Sequence, residues 1–187
     1  VDTIAGGAGN DIITGGAGND IITVDVGTDT VLDLGGAGSG GESDVVIVAA
    51  GATLNATGVI SFTATSATKN NSTDASNATL IARTSGGSTI DVSAATGSSK
   101  AFTLTGATGV DILTGGAGAD IITGAGNNDV LKGGGGSETI TGGAGMDIIT
   151  GGAGNDIITV DASFDSVTDL GGAGGDESDV LIVAAGA

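Results

Sequence analysis

The chain repeats itself every nine residues. Between positions 106 and 159 six consecutive units align without a gap: GATGVDILT, GGAGADIIT, GAGNNDVLK, GGGGSETIT, GGAGMDIIT and GGAGNDIIT. Each is a glycine-rich run of six residues ending in an acid, followed by three residues with an apolar one in the middle. The sixth position is Asp111, Asp120, Asp129, Glu138, Asp147 and Asp156, and the eighth is Leu113, Ile122, Leu131, Ile140, Ile149 and Ile158. A unit of nine cannot enclose a core alone, so its apolar residue is buried only if units stack.

The composition points the same way. Glycine supplies 39 of 187 residues and proline none, without the every-third-residue spacing of a collagen helix. Glycine, threonine and β-branched residues dominate and no 3.6-residue period appears, which argues against helices. The expected architecture is all-β: a parallel β-roll or β-helix solenoid in which two units make a coil of about 18 residues, strand, turn, strand, turn. Each eighth residue points inward, and strands pair along the stack at about 4.8 Å. The turns need glycine where φ is positive or where the chain passes close to the coil above.

The formal charge is −18, with 22 acids against four bases. Such a surface repels nucleic acid and anionic membranes and suits cations. Cysteine, histidine, tryptophan and tyrosine are all absent. Disulfides, thiolate sites and imidazole sites are thereby excluded, and zinc, copper and haem are disfavoured. Most nucleophile and general-base arrangements lose a member. No apolar run is long enough to cross a bilayer, and the start lacks a signal-peptide layout. The chain begins and ends in mid-pattern, which reads as a segment of a longer protein.

Stacking creates an electrostatic problem. Asp111, Asp129 and Asp147 would form one row, and Asp120, Glu138 and Asp156 another, with like charges one coil apart. A hard divalent cation between successive turns removes the repulsion and takes turn carbonyls as further ligands. Calcium accepts six to eight oxygens in flexible geometry, whereas magnesium demands a tight octahedron and keeps its waters, so calcium is favoured.

These units resemble the calcium-binding RTX (hemolysin-type) repeats, GGxGxDxUx. The resemblance covers about 1–34 and 106–170. It implies a parallel β-roll with several Ca2+ ions between loops two units apart. Carried onto this sequence, the acid pairs are Asp111/Asp129, Asp129/Asp147, Asp120/Glu138, Glu138/Asp156 and Asp147/Asp165, with Asp2/Asp20 and Asp11/Asp29 in the head. The accompanying turn positions are Gly106, Gly109, Gly115, Ala117, Gly124, Gly126, Gly133, Gly135, Gly142, Ala144, Gly151 and Ala153. Three units depart from the pattern: Asn127 stands where glycine is expected, Glu138 replaces aspartate, and the unit at 106–111 lacks the second glycine.

Five segments follow. Residues 1–34 form a first roll segment, with GGAGNDIIT at 6–14 and again at 15–23, then a degenerate unit at 24–32 that keeps Gly27, Asp29 and Val31. Residues 35–52 read as a long loop, containing Glu42, and a strand at Val45–Val48. Residues 53–105 are rich in Ser, Thr and Ala and carry three of the four bases, Lys69, Arg83 and Lys100. Period-two placement there marks short strands at 60–65, 79–82, 89–93 and 101–105, set in irregular solenoid or linker coils, with an exposed loop at 69–77. Residues 106–170 are the main roll. Residues 171–187 start a second large repeat: residues 11–25 are identical to 147–161, and ESDVVIVAAGA at 42–52 returns as ESDVLIVAAGA at 177–187. A period of about 136 residues is thus nested over the short one, the mark of a tandem array.

The seventh and ninth residues face outward. The seventh is mostly Ile (Ile12, Ile21, Ile112, Ile121, Ile148, Ile157) and the ninth mostly Thr. This surface is explained by β-propensity, by lateral packing in an array, or by ice ordering as in some calcium-dependent adhesins. The expected function is non-enzymatic: a calcium-folded segment of a secreted bacterial surface protein, in a surface-layer lattice or an adhesin stalk, self-associating or contacting neighbouring repeats. A toxin, a β-helix enzyme and an ice-binding adhesin are the alternative parents. The family travels by type I secretion.

Overall fold

A computed structural model describes residues 1–32, 34, 44–71, 78–97, 100–161, 164–170 and 178–184. Glu42 and the distal part of the expected loop at 69–77 lie outside them. Among the described residues there are nineteen strands and no helix, and every strand pair is parallel. The expected β-solenoid is the observed fold.

One nine-stranded sheet runs the length of the solenoid, from Ile12–Ile13 through Gly27–Val31, Ala52–Val59, Ala78–Ala82, Thr103–Thr105, Ile121–Gly126, Thr139–Ala144 and Ile157–Val160 to Val180–Val183. The rest of each coil is supplied by two shorter sheets in succession. A four-stranded sheet takes Thr3–Ala5, Ile21–Val24, Val45–Val48 and Lys69–Asn70. A six-stranded sheet takes Ser61–Thr63, Thr89–Asp91, Ile112–Thr114, Val130–Gly136, Ile148–Gly154 and Ser166–Thr168. The second begins before the first has ended, so coils between 52 and 97 touch three sheets, with Lys69 bridged to Thr96.

The step per coil follows. It is 18 residues in the rolls, where Asp111 meets Asp129, and 24 in the middle, where Thr79 pairs with Thr103. The eighth-position row Ile13, Val31, Ala56, Leu80, Leu104, Ile122, Ile140, Ile158 is buried along the first eight strands of the nine-stranded sheet, and only Leu181 on the last strand is open. Burying each such branched side chain contributes about 1.5–3 kcal/mol. The seventh-position isoleucines are exposed, as alternation requires.

The strands expected in the middle segment form at Ser61–Thr63, Ala78–Ala82, Thr89–Asp91 and Thr103–Thr105. Two features differ from expectation. Ala52–Val59, the longest strand, was not anticipated. Lys69–Asn70 is a strand rather than exposed loop, and Asn70 is fully buried, its amide donating to the Ala101 carbonyl.

The turns divide the labour of glycine by position. In most units the second and fourth residues take positive φ, as at Gly152 (106°) and Gly154 (128°), but not at Ala107 and Gly109 or at Gly116 and Gly118. The third does not, which is why Ala117, Ala144 and Ala153 are accommodated there. In the unit at 124–132 the two left-handed places fall to Ala125 (83°) and Asn127 (72°), the second a residue type that tolerates this region.

Candidate metal centre

The sixth residue lies two before the eighth, so it points to the same side of the chain. Its carboxylate is therefore inside. Asp20, Asp29, Asp111, Asp120, Asp129, Glu138, Asp147 and Asp156 are each at most 1% exposed; Asp11 is half-buried and Asp2 exposed. Burying a carboxylate is costly unless it is paired.

Half of the pairing is backbone. Each acid's Oδ1 accepts the N–H of the residue one coil earlier: Asp111 N–H to Asp129 at 2.8 Å, Asp129 N–H to Asp147 at 2.8 Å, Asp147 N–H to Asp165 at 2.9 Å, Glu138 N–H to Asp156 at 2.9 Å, Asp2 N–H to Asp20 at 2.7 Å and Asp11 N–H to Asp29 at 3.0 Å. The structure thus brings together, coil on coil, the acids the repeat pattern pairs. The pair Asp120/Glu138 stacks in the same register but without this hydrogen bond, both carboxylate oxygens of the longer glutamate lacking a partner.

The other half is unsatisfied. The Oδ2 atoms of Asp11, Asp20, Asp29, Asp129, Asp147 and Asp156 are buried with no hydrogen-bond partner. Asp111 and Asp120 differ, taking the N–H of Ala107 and Gly116 at 2.8 and 2.6 Å. Except at Asp29, whose unit begins with Val24, these oxygens face the first glycine of their own unit. A β-carbon built on Gly124 would lie 2.5 Å from Asp129 Oδ2 and 2.5 Å from the Gly142 carbonyl oxygen; on Gly115, 2.5 Å from Asp120 Oδ2 and 2.2 Å from the Gly133 oxygen. The first glycine therefore leaves its space to oxygen atoms, from two adjacent coils at Gly106, Gly115, Gly124, Gly133 and Gly151 and from the unit's own acid alone at Gly6, Gly15 and Gly142. Among the described residues no three acidic side chains converge on one point. One or two carboxylates plus backbone carbonyls, all hard donors, fit calcium.

Two members of the rows were missed in the sequence. Asp44 is buried and accepts the Asp20 N–H at 2.8 Å across a 24-residue step, and Asp179 accepts the Asp156 N–H at 2.9 Å across 23. Neither sits in a nonapeptide, but each stands two residues before an apolar strand position, Val46 and Leu181. That D-x-U signal could have found them.

The rows also have limits. In the nine-stranded sheet the acid position reads Asp11, Asp29, then Leu54, Ala78 and Phe102, then Asp120, Glu138 and Asp156. In the six-stranded sheet Ser88 precedes Asp111, donating its N–H to Oδ1 at 2.7 Å. The middle coils thus replace the acid row with uncharged side chains and separate two acidic stretches.

Burial shifts the acids upward. It pushes Asp120 up to about 6 against the N–H groups of Gly116 and Phe102. Asp129 rises to about 7, by burial first, with the Asp147 and Asp111 charges adding. Glu138 rises to about 9, by burial first, then through neighbouring Asp156 and Asp120. Asp147 is raised by burial, then by Asp165 and Asp161. Between the ordinary carboxylate range and these values, the metal-free folded chain holds more protons than the unfolded one, so its stability falls as pH rises. In chelator, β-signal in far-UV circular dichroism is expected to increase on going from pH 8 to pH 5. In calcium the trend reverses, because protons compete with the metal. A chelated chain that loses structure on acidification contradicts this.

A family model described as the RTX calcium-binding nonapeptide repeat (4 copies) matches residues 1–31, 103–131 and 132–167. No curated protein and no solved structure matches the chain. No helix among the described residues is long and apolar enough to cross a membrane.

Proposed function

Because the chain belongs to the RTX calcium-binding nonapeptide repeat family, whose repeats bind Ca2+ at several sites, we propose that it is a calcium-folded structural segment of a secreted bacterial surface protein. Each ion sits between adjacent coils. The acid pairs are Asp111/Asp129, Asp129/Asp147, Asp147/Asp165, Asp120/Glu138 and Glu138/Asp156, with Asp2/Asp20 and Asp11/Asp29 in the head. Turn carbonyls at the first and third residues of the units, or the first and fourth (Gly106 and Gly109) in the unit at 106–114, complete the shell. The single observation that carries this reading is the row of buried, half-satisfied carboxylates stacked one coil apart. Calcium scarcity inside a cell and abundance outside make metal binding a folding switch, since binding free energy becomes folding free energy.

The role is structural rather than catalytic: the carboxylates lie inside the coil instead of lining an open groove. The nested large repeat supports an extended array, in a lattice or a stalk. Solution scattering and electron microscopy on calcium addition test this. Two-dimensional crystals assign the chain to a lattice and an extended rod to a stalk; a compact globule in saturating calcium contradicts both. Anomalous diffraction on calcium-grown crystals checks the ligand assignment, with peaks expected between coils beside Asp129 and Asp147.

A further inference from the structure

The large repeat places one sequence in two environments. Leu34 and Leu170 are equivalent, as are Val46 and Leu181, and Val48 and Val183, by the identities that flank them. In the head, Leu34 is 2% exposed and Val46 and Val48 are 0%. In the tail, Leu170 is 48%, Leu181 42% and Val183 66% exposed. The difference is one coil. In the head, Ala52–Val59 pairs onto Gly27–Val31, Lys69–Asn70 pairs onto Ile47 and Val48, and Asn71 N–H donates to the Val48 carbonyl at 3.0 Å. Nothing among the described residues performs this for Ser166–Thr168 or Val180–Val183.

We propose that the tail edge, Ser166–Thr168 with Val180–Val183, is a docking surface for a second copy of this chain's coil at 52–71, so that successive large repeats join into one unbroken solenoid. This deepens the array reading above. The internal equivalence identifies the occupant: the apolar side chains left open in the tail are those that this coil covers in the head. It also fixes how the copies join. Ile21–Val24 and Val45–Val48 belong to the four-stranded sheet, which stops at Lys69–Asn70, whereas their equivalents Ile157–Val160 and Val180–Val183 belong to the nine-stranded sheet. Each added copy therefore ends the sheet that its predecessor ran full length and extends the one that its predecessor began. Every sheet spans parts of two copies, and the running face changes at each large repeat.

The test compares the single chain with one in which residues 53–187 are appended directly after Ala187, the equivalent of Ala52. Hydrogen exchange is followed in calcium by mass spectrometry over 178–184 of the first copy. Exchange there is expected to slow at least tenfold, to the rate of 45–48 in the same sample. Ala56→Asp in the second copy only, a charge at an inward core position rather than at an acid position, should restore fast exchange at 178–184 while 45–48 of the first copy stays protected. Unchanged exchange at 178–184 in the appended chain overturns the proposal. Circular dichroism of the single chain with and without calcium reports the calcium reading separately, so the two can fail independently.

Discussion

Chelating calcium is expected to melt the two acidic stretches and spare the middle coils. The reason is the composition of the acid row. Adjacent carboxylates about 5 Å apart at an effective dielectric near 20 repel by about 3 kcal/mol, and Asp111, Asp129 and Asp147 stack in succession with their second oxygens unpaired or facing glycine. A few such contacts match the whole stability of an ordinary domain, about 5–15 kcal/mol. Between the acidic stretches, Leu54, Ala78 and Phe102 occupy the acid position, and Phe62, Ile90, Val92 and Leu80 fill the same core. These coils carry no buried row of charge. Hydrogen exchange in a chelator should therefore approach unfolded-chain rates over 112–160 and retain protection over 78–82 and 102–105, with a partial loss of far-UV β-signal. Equal protection of both regions without calcium would contradict the assignment of the rows to a metal.

How much of this was visible in the sequence depended on the period. Where nine residues recur without interruption, the fold, the inward row from Leu113 to Ile158 and the stacking of Asp111 on Asp129 all followed, because an 18-residue coil fixes the register. In the middle that guide is lost. Coils of 23 and 24 residues and a third sheet break the phase, and Ala52–Val59, with Thr, Asn and Gly among its eight residues, does not announce itself as the longest strand. Lys69–Asn70 misled through polarity: an asparagine read as loop is buried because a carbonyl on another coil accepts its amide. Asp44 and Asp179 were hidden for the same reason, since long insertions separate them from the units they stack upon. Glu138 was legible as a departure. Its consequence was not, because only the folded coil reveals that both carboxylate oxygens are buried without a hydrogen-bond partner.

Asp129→Asn is expected to reverse its effect on stability with calcium. Asp129 lies between Asp111 and Asp147, so a charge lost there touches two adjacent sites. Asparagine keeps a carbonyl oxygen for the Asp111 N–H that now meets Oδ1 at 2.8 Å, which leaves the fold's own hydrogen bond in place. In chelator at pH 8 the substitution removes a buried charge, and Asp129 is a group whose proton affinity burial and its neighbours have already raised to about 7. The metal-free chain should therefore gain stability, with a higher thermal midpoint than the parent. In saturating calcium the same change removes a charged ligand from both sites. Affinity should fall at least tenfold, about 1.4 kcal/mol, and the calcium-bound midpoint should drop below the parent's. Calcium titrations by calorimetry and paired thermal melts measure both arms. A merely structural carboxylate predicts loss in both conditions, and a solvated one predicts no change in either, so the crossing of the two signs is the diagnostic of a metal ligand held inside the stack.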